Sequence, residues 1–386
     1  MSTIVEERST AAATTAIRPL AGWGGYPVVE GYELVSEDLE RITRDVVLTR
    51  GLARSYGDAS LPPRGGHTVA ASRLADRVLS FDPETGILRA EAGLSLFRLN
   101  RMLLDRGWFT PVTPGTSFVT LGGMIASDVH GKDQHDAGTF GHHVTAVRLR
   151  VADGRILEIS EQVEPELLRA TIGGMGLTGH ILEASFRMRR VASPWILAES
   201  ETVPDIETLV ETLVDAGRDW PYTVSWADCI NRGGMGRGIV IKGRWAEPHE
   251  APPRPLTWSG AVGVPFYFPE WALNGLSVRA FNTAYYYKHG NRKKVGIVHP
   301  QPFFYPLDAV HDWNRIYGRR GFTQYQCVVP HAAGTETFRK IFRMVADQGT
   351  ASFLCVVKDF GREGAGLLSF PTPGITFTLI PVSLVN

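Results

Sequence analysis

Pro114-Gly115-Thr116, followed by Thr120-Leu121-Gly122-Gly123-Met124-Ile125-Ala126-Ser127-Asp128-Val129-His130-Gly131-Lys132 and then by Gly138-Thr139-Phe140-Gly141, is a run dense in small side chains. Where Cβ atoms are missing, backbone N–H groups can turn toward an anion, and a planar ring can lie against the main chain. A bulky residue would block both. The same logic applies upstream, where the β-branched run Val46-Val47-Leu48-Thr49 empties into Arg50-Gly51-Leu52-Ala53-Arg54-Ser55-Tyr56-Gly57-Asp58. A strand feeding a glycine loop is the layout of a phosphate cradle. The loop lacks the GK[ST] ending of a nucleotide-hydrolysing loop, and no GxGxxG follows a first strand, so the common nucleotide folds fit poorly. A third glycine stretch is Gly173-Gly174-Met175-Gly176-Leu177-Thr178-Gly179.

Around these loops the hydrophobic period keeps changing. Ser36 before Glu37 and Asp38 predicts an N-cap and a short helix over 36–44. Segments 78–82 and 87–91 flank Pro83-Glu84-Thr85-Gly86 as a hairpin, and Leu96, Leu99, Met102 and Leu103 form a helical stripe that stops at Gly107. Val147, Leu149 and Val151 alternate into an Asp153-Gly154 turn. After Ser193-Pro194 a new unit opens with the stripe Ile206, Leu209, Val210, Leu213 and Val214. A second amphipathic helix over 335–348 carries Phe338, Ile341, Phe342 and Val345, flanked by strands near Gln324 and Leu354. The mixture is α+β, without a regular βαβ repeat.

A chain of 386 residues exceeds one ordinary core, which rarely grows past roughly 250–300 residues. The expected division is a disordered tail over 1–18, a glycine-loop domain over 19–193, a sheet backed by helices over 194–378 and an atypical end over 379–386. The Pro-rich, aromatic section 252–287 leads into the basic run 288–294, read as a long mobile loop. With Tyr285, Tyr286 and Tyr287 beside it, attraction to an anionic membrane surface is one reading, and a solvated loop is the other.

Lys+Arg and Asp+Glu are both 40, so no overall field draws the chain to nucleic acid. Cys229, Cys327 and Cys355 lack zinc or disulfide spacing and read as buried thiols, with no metal implied. No run approaches the ~18 apolar residues of a membrane span. Residues 1–18 lack the basic start and apolar core of a secretory signal.

Taken in order, the three glycine segments resemble the PCMH-type FAD-binding domain of the vanillyl-alcohol oxidase superfamily. The runs Arg54-Ser55-Tyr56-Gly57-Asp58, Asp128-Val129-His130-Gly131-Lys132 and Gly321-Phe322-Thr323-Gln324-Tyr325-Gln326 narrow this to the decaprenylphosphoryl-β-D-ribose oxidases, a family of 2′-epimerase flavin subunits serving cell-wall arabinan synthesis. The likeness runs from about Trp23 to Phe370. It implies a two-subdomain FAD-binding domain and a substrate domain with an antiparallel sheet. It implies FAD contacts from Arg50, Gly51, Leu52, Ala53, Arg54, Ser55, Tyr56 and Gly57. Further contacts would come from Pro114, Gly115, Thr116, Thr120, Gly122, Gly123, Ala126, Ser127, His130, Gly131 and Gly138, with Gly179 and Ile181 on the adenosine side. Arg54 stands where many superfamily members carry the His that bonds flavin covalently, so FAD is expected to be non-covalent.

The same resemblance places Trp226, Phe304, Gln324, Gln326, Lys358, Phe360, Thr376 and Thr378 on the substrate side, with His130, Tyr56 and Lys358 as candidate catalytic groups. Thr378 stands where the family often has Cys, and Phe304, with Tyr305 adjoining it, where it has Tyr. Family members continue for several dozen residues past the position of Asn386 and supply a lysine beside the flavin there, which gives the expectation of a shortened copy. The implied reaction is oxidation of the C2′ hydroxyl of decaprenylphosphoryl-β-D-ribose to the 2′-keto sugar. Implied partners are a polyprenyl-phosphate sugar, a quinone or other electron acceptor, an NAD(P)-dependent keto-reductase and, peripherally, the plasma membrane, its side left open. Other FAD-dependent sugar or aldonolactone oxidases, or a non-catalytic flavin-binding homologue, share the loops.

Read alone, His130 suits a satisfied core histidine as well as an active-site group. Gln324 and Gln326 alternate about Tyr325, so both amides share one strand face, either solvated or offered to sugar hydroxyls. Lys358, after the apolar run 353–357, suits a surface cation or a phosphate ligand equally.

Overall fold

The computed structural model describes residues 16–381 apart from 64, 231–234, 259–261, 291–292 and 349–351. The tail reading over 1–15, the last five residues, and Asn291 and Arg292 of the basic run lie outside the described residues. Arg18, which the tail reading included, instead opens the first strand.

Strands β1 (Arg18–Ala21), β2 (Val28–Val35), β3 (Thr49–Arg50) and β4 (Thr68–Ala71) form a small sheet ordered β1-β2-β4-β3. The β-branched run thus yields only a two-residue strand, paired in parallel with β4. Helix α1 (Leu39–Ile42) is capped by Asp38, whose carboxylate accepts from Arg41 N at 2.9 Å. Ser36, the expected cap, accepts instead from Asp38 N. Strands β5 (Val78–Phe81), β6 (Ile87–Glu91), β8 (Val144–Arg150), β9 (Ile156–Ser160) and β10 (His180–Arg187) make a second sheet ordered β5-β6-β10-β8-β9, antiparallel throughout. A short ladder joins β7 (Trp108–Phe109) to β11 (Arg189–Arg190).

Helix α2 (Leu96–Leu103) lays Leu96, Leu99 and Leu103 into the core from a Ser95 cap. Met102, placed in that stripe by spacing, is 41% exposed, and Leu104 in the following turn is buried instead. Helices α3 (Leu121–Ala126), α4 (Gln134–Ala137) and α5 (Pro165–Thr171) complete this half.

The second half is one seven-stranded sheet: β12 (Ile196–Val203), β13 (Tyr222–Ala227), β14 (Gly238–Trp245), β16 (Lys294–Val298), β18 (Tyr325–Pro330), β19 (Cys355–Phe360) and β20 (Gly374–Leu379). Their order is β16-β12-β14-β13-β19-β20-β18. Strands β15 (Val262–Gly263) and β17 (Val310–His311) pair apart from it. Helices α6 (Ile206–Asp219) and α9 (Gly334–Asp347) cover one face through the stripes legible in the sequence, with Phe338 and Phe342 closing on Phe377. The fold class is the α+β arrangement expected.

Section 252–294 corrects the mobile-loop reading. Helix α7 (Gly275–His289) opens on a reciprocal cap, in which Asn274 accepts from Ser277 N at 3.1 Å and Ser277 Oγ accepts from Asn274 N at 3.0 Å. It buries Asn282, which donates to Asp228 Oδ1 at 2.9 Å. Lys288 and His289 end this helix, while Lys294 begins β16. Cys229 and Cys355 are buried thiols, whereas Cys327 is only half-buried. Among the described residues no helix is long and apolar enough to cross a membrane.

One hydrophobic core crosses both halves. Ile196, Tyr222, Phe303, Phe304 and Tyr305 cluster with Leu96, Leu99, Phe109 and Val112. Helix α8 (Pro300–Phe304) delivers Phe303 and Phe304, and Tyr305 caps its end. The Phe377 ring, fully enclosed between α9 and the sheet, makes a direct check: Phe377→Ala is expected to cost about 3–5 kcal/mol, seen as a lower urea midpoint by circular dichroism.

Candidate active site

A cavity of about 1100 Å³ lies between the glycine loops and the open face of the seven-stranded sheet. Pockets for drug-sized ligands run to roughly 1000 Å³, so this one has room for a large cofactor together with a second molecule.

The first loop is held from behind. Trp23 N donates to Ser55 O at 2.7 Å, and a Cβ on Gly24 would lie 2.4 Å from Tyr56 O. Gly22 and Gly24 therefore set the loop's height, a role that the sequence reading missed although two glycines flank one tryptophan there. Arg54 lays its guanidinium over Trp23 at 3.8 Å, and its Nε is shut off from solvent without a hydrogen-bond partner. Burial lowers its pKa, an effect opposed by Asp308 and Asp312. Tyr56 packs on Phe322 at 5.1 Å and Trp313 at 6.0 Å, and burial pushes its phenol well up. Arg50 reaches the wall, but its Nη2 donates to Ala21 O and its Nε faces Glu33, so much of it is structural.

The second loop meets the first at α3. Thr120 caps the helix by accepting from Gly123 N at 3.3 Å, and Gly51 fits only because it has no side chain: a Cβ there would stand 2.3 Å from Thr120 Oγ1. Cβ atoms on Gly115 or Gly176 would meet nothing within 4 Å, so these positions face open space. The cradle fits a dinucleotide whose pyrophosphate and ring lie on bare backbone, with Arg54 as a cation short of a partner.

Most residues named from the sequence converge here. Arg50 to Tyr56, Pro114, Gly115, Thr116, Thr120, Gly122, Gly123, Ala126, Ser127, His130, Gly179 and Ile181 line the cavity, as do Trp226, Gln324, Gln326, Lys358 and Thr378. Others do not. Gly57, beside the loop, is off the lining, and Gly131 is packed on Thr113 O. Gly138 leaves room for Arg362, whose Nη2 donates to Ala137 O at 2.6 Å. Phe304 is fully buried between Phe109 and Tyr222, a core ring and not a wall of the site. Thr376 is 1% exposed and ties Gln326 to the sheet: its Oγ1 accepts from Gln326 Nε2 and donates to Cys327 O. Phe360 sits behind His130, ring to ring at 4.7 Å.

The chemistry concentrates around His130. Its Nδ1 is enclosed without a partner, and burial together with nearby Lys358 holds its pKa well below the usual imidazole range. Lys358 is itself brought down to about 8 by burial, opposed by Asp133. Lys132 falls to about 7, through burial and then Lys358. Asp133, 1% exposed, is pushed up to about 7 by burial, against the pull of Arg189 at 3.6 Å. Arg189 in turn donates to Tyr222 OH at 2.7 Å. The sequence reading passed over Lys132, Asp133 and Arg189 as candidates, because only their burial sets them apart.

Residues 40–160 match the FAD binding domain family. The chain is 34% identical to the decaprenylphosphoryl-beta-D-ribose oxidase of Mycolicibacterium smegmatis, over 95% of this chain and 83% of that one. It is 33% identical to an uncharacterized protein in the mprA 5′ region of Streptomyces coelicolor, over 73% and 79%. A 36% share of the chain is 34% identical to 15% of the D-2-hydroxyglutarate dehydrogenase of Escherichia coli. Cradle and domain match together define an FAD-dependent oxidoreductase of the vanillyl-alcohol oxidase superfamily. Within that class, identity over nearly the whole length makes this chain a member of the decaprenylphosphoryl-β-D-ribose oxidase family.

Two outcomes follow from the geometry. Gly51→Ala must displace the Thr120 hydroxyl and uncap α3, so the purified protein is expected to carry several-fold less FAD by absorbance, with part of it restored by adding Thr120→Ala. Asp133 binds its proton up to about pH 7 when folded but only to about pH 4 when unfolded, so its charge costs stability that grows between those values. Asp133→Asn is therefore expected to raise the melting temperature at pH 8 and to leave it nearly unchanged at pH 4.

Proposed function

We propose that this chain oxidises the C2′ hydroxyl of decaprenylphosphoryl-β-D-ribose to the 2′-keto sugar. The observation that carries the reading is the meeting, in one cavity, of the unpartnered neutral His130 of the second glycine loop with the ammonium of Lys358 from the facing sheet. In this reading residues 19–193 hold FAD without a covalent bond, Arg54 standing in the first loop, and residues 194–378 present the sugar.

Bound FAD supplies the hydride acceptor. His130, kept free of its proton by burial and by the neighbouring cation, is in the state that takes the proton from the reacting hydroxyl. Tyr56 stays protonated and serves as a donor at the same wall. Lys358 and Lys132 meet the negative phosphate, while Gln324, Gln326 and Thr378 offer donors and acceptors to the ring hydroxyls. The Thr376 bond fixes the rotamer of Gln326, so the pentose is oriented by a pre-set amide. The partners this reading implies are a quinone or another electron acceptor and a nicotinamide-dependent reductase for the second half of the epimerisation. A lipid-linked substrate puts the protein at a membrane surface as a peripheral enzyme.

Mixing the yellow protein with polyprenylphosphoryl ribose without oxygen is expected to bleach the flavin, and His130→Gln to slow that bleaching by about 10²–10⁴-fold. Bleaching by free pentoses alone would reject the reading. The cationic form of Lys358 is present below about pH 8 and lost above it. KM for the phosphorylated substrate should therefore rise several-fold from pH 7 to pH 9, and Lys358→Met should flatten that rise.

A further inference from the structure

The cavity does not end where a pentose would. Past Trp226 it continues over the open face of the large sheet, along Val224 of β13, Ile241 of β14, Ala198 and Ser200 of β12, and out to Lys294, Gly296 and Val298 of β16. The strand register orders these residues. Val224 stands opposite Ile241, Ile241 opposite Ser200, and Ser200 opposite Lys294. One side-chain row therefore crosses four strands on a single face.

Lys358 lies on β19, four strand steps from β16, which at the usual spacing is about 19 Å. Phe303 forms one flank of this limb, and Tyr285 and His289 of α7 form the other. Phe303 can lie close because Gly243 on β14 has no side chain, a Cβ there falling 2.6 Å from its ring. The carboxylate of Glu199, which also borders the limb, is taken up by Lys242 at 2.7 Å and Lys293 at 2.6 Å. Positive charge without a carboxylate partner among the described residues is thus left at the two ends, Lys358 and Lys132 within and Lys294 at the rim, where its Nζ donates to Lys288 O at 3.3 Å. At the rim β16 is the sheet edge, and Lys294 and Gly296, on the limb's face, are exposed, so the limb opens to solvent there.

We infer that this limb carries the apolar chain of the substrate, the first isoprene units lying over Val224, Ile241 and Ser200 between a phosphate at Lys358 and an exit beside Lys294. The inference rests on the reading of the substrate as a polyprenyl-phosphate sugar and adds where its lipid runs. A soluble nucleotide sugar fits this path badly. Its second phosphate and base would leave polar groups unpaired against Val224, Ile241 and Phe303, whereas a hydrocarbon gains by covering them. A lysine at the exit suits the anionic headgroups among which the rest of such a chain would lie.

Calorimetric titration of the FAD-loaded chain with farnesyl phosphate, ribose 5-phosphate and inorganic phosphate tests this without turnover. Farnesyl phosphate is expected to bind at least about tenfold tighter than inorganic phosphate. Ser200→Trp narrows the limb and should remove most of that advantage, with a several-fold smaller loss for ribose 5-phosphate. Ile241→Gln, which places an amide in the same row, should show the same selectivity if the first variant accumulates poorly. Farnesyl phosphate binding no better than inorganic phosphate, or equal losses of both organic ligands in the variants, would overturn the inference. Selective farnesyl phosphate binding by a protein whose flavin never bleaches with polyprenylphosphoryl ribose would uphold the limb and sink the oxidase reading.

Discussion

Asp128 holds the site together. Its carboxylate is fully enclosed and accepts from Gly141 N at 2.8 Å within the glycine loop, and from Ala365 N at 2.9 Å and Ser369 Oγ on the segment that returns from the sheet domain. The residue takes a positive φ of 40°, a conformation that costs a non-glycine side chain and persists where its surroundings over-determine it. Two residues further on comes His130. The loop that presents the imidazole is therefore pinned by groups from both halves of the chain, and its placement is a property of the interface. Asp308 repeats the device on the other flank, accepting from Thr116 Oγ1 and from Ser117 N and Oγ. Tyr305 adds a third pin, its hydroxyl receiving Asn100 Nδ2 and Thr113 Oγ1.

With the wall fixed in this way, burial can do the electrostatic tuning. Lys132, Asp133, Lys358 and Arg189 share a region with little access to water, where each charge is costly alone and is offset by its neighbours. The pKa values of about 7 and 8 on the two lysines show this balance lying near neutral pH, where small changes of charge in the cavity alter protonation. In the proposed reaction, a histidine stripped of its proton beside a lysine that keeps one would divide the work between a base and an electrostatic anchor.

What was legible in the sequence were the features that depend on local pattern. Bare backbone is written directly as glycine, so both loops could be read, while their joint place at one cofactor came from the resemblance to the family, and the stripes of α6 and α9 carried their period openly. Helix α7 escaped because Phe281, Tyr285, Tyr286 and Tyr287 do not fall on one buried stripe, and only Val278 and Asn282 are fully enclosed. Its start was nonetheless marked by Asn274 and Ser277. Phe304 looked like a site residue by its place in the chain, yet its position is decided by Phe109, Tyr222 and Trp245, partners that sequence order cannot bring together. Lys132 and Asp133 stood beside the quoted motif, and what distinguishes them is enclosure, which appears only after folding.

The shared core of Phe303, Phe304 and Tyr305 with Leu96, Phe109 and Val112 has a mechanical consequence. Hinge motion between the lobes would have to tear apart aromatic packing that belongs equally to both, so clamshell opening is a poor route for traffic in and out. Passage through the open rim of the cavity, where Lys294 and Gly296 are exposed, avoids that cost. Turnover would then be paced by sliding through a doorway of constant width, and side chains at that doorway would govern residence time as strongly as those at the reacting carbon.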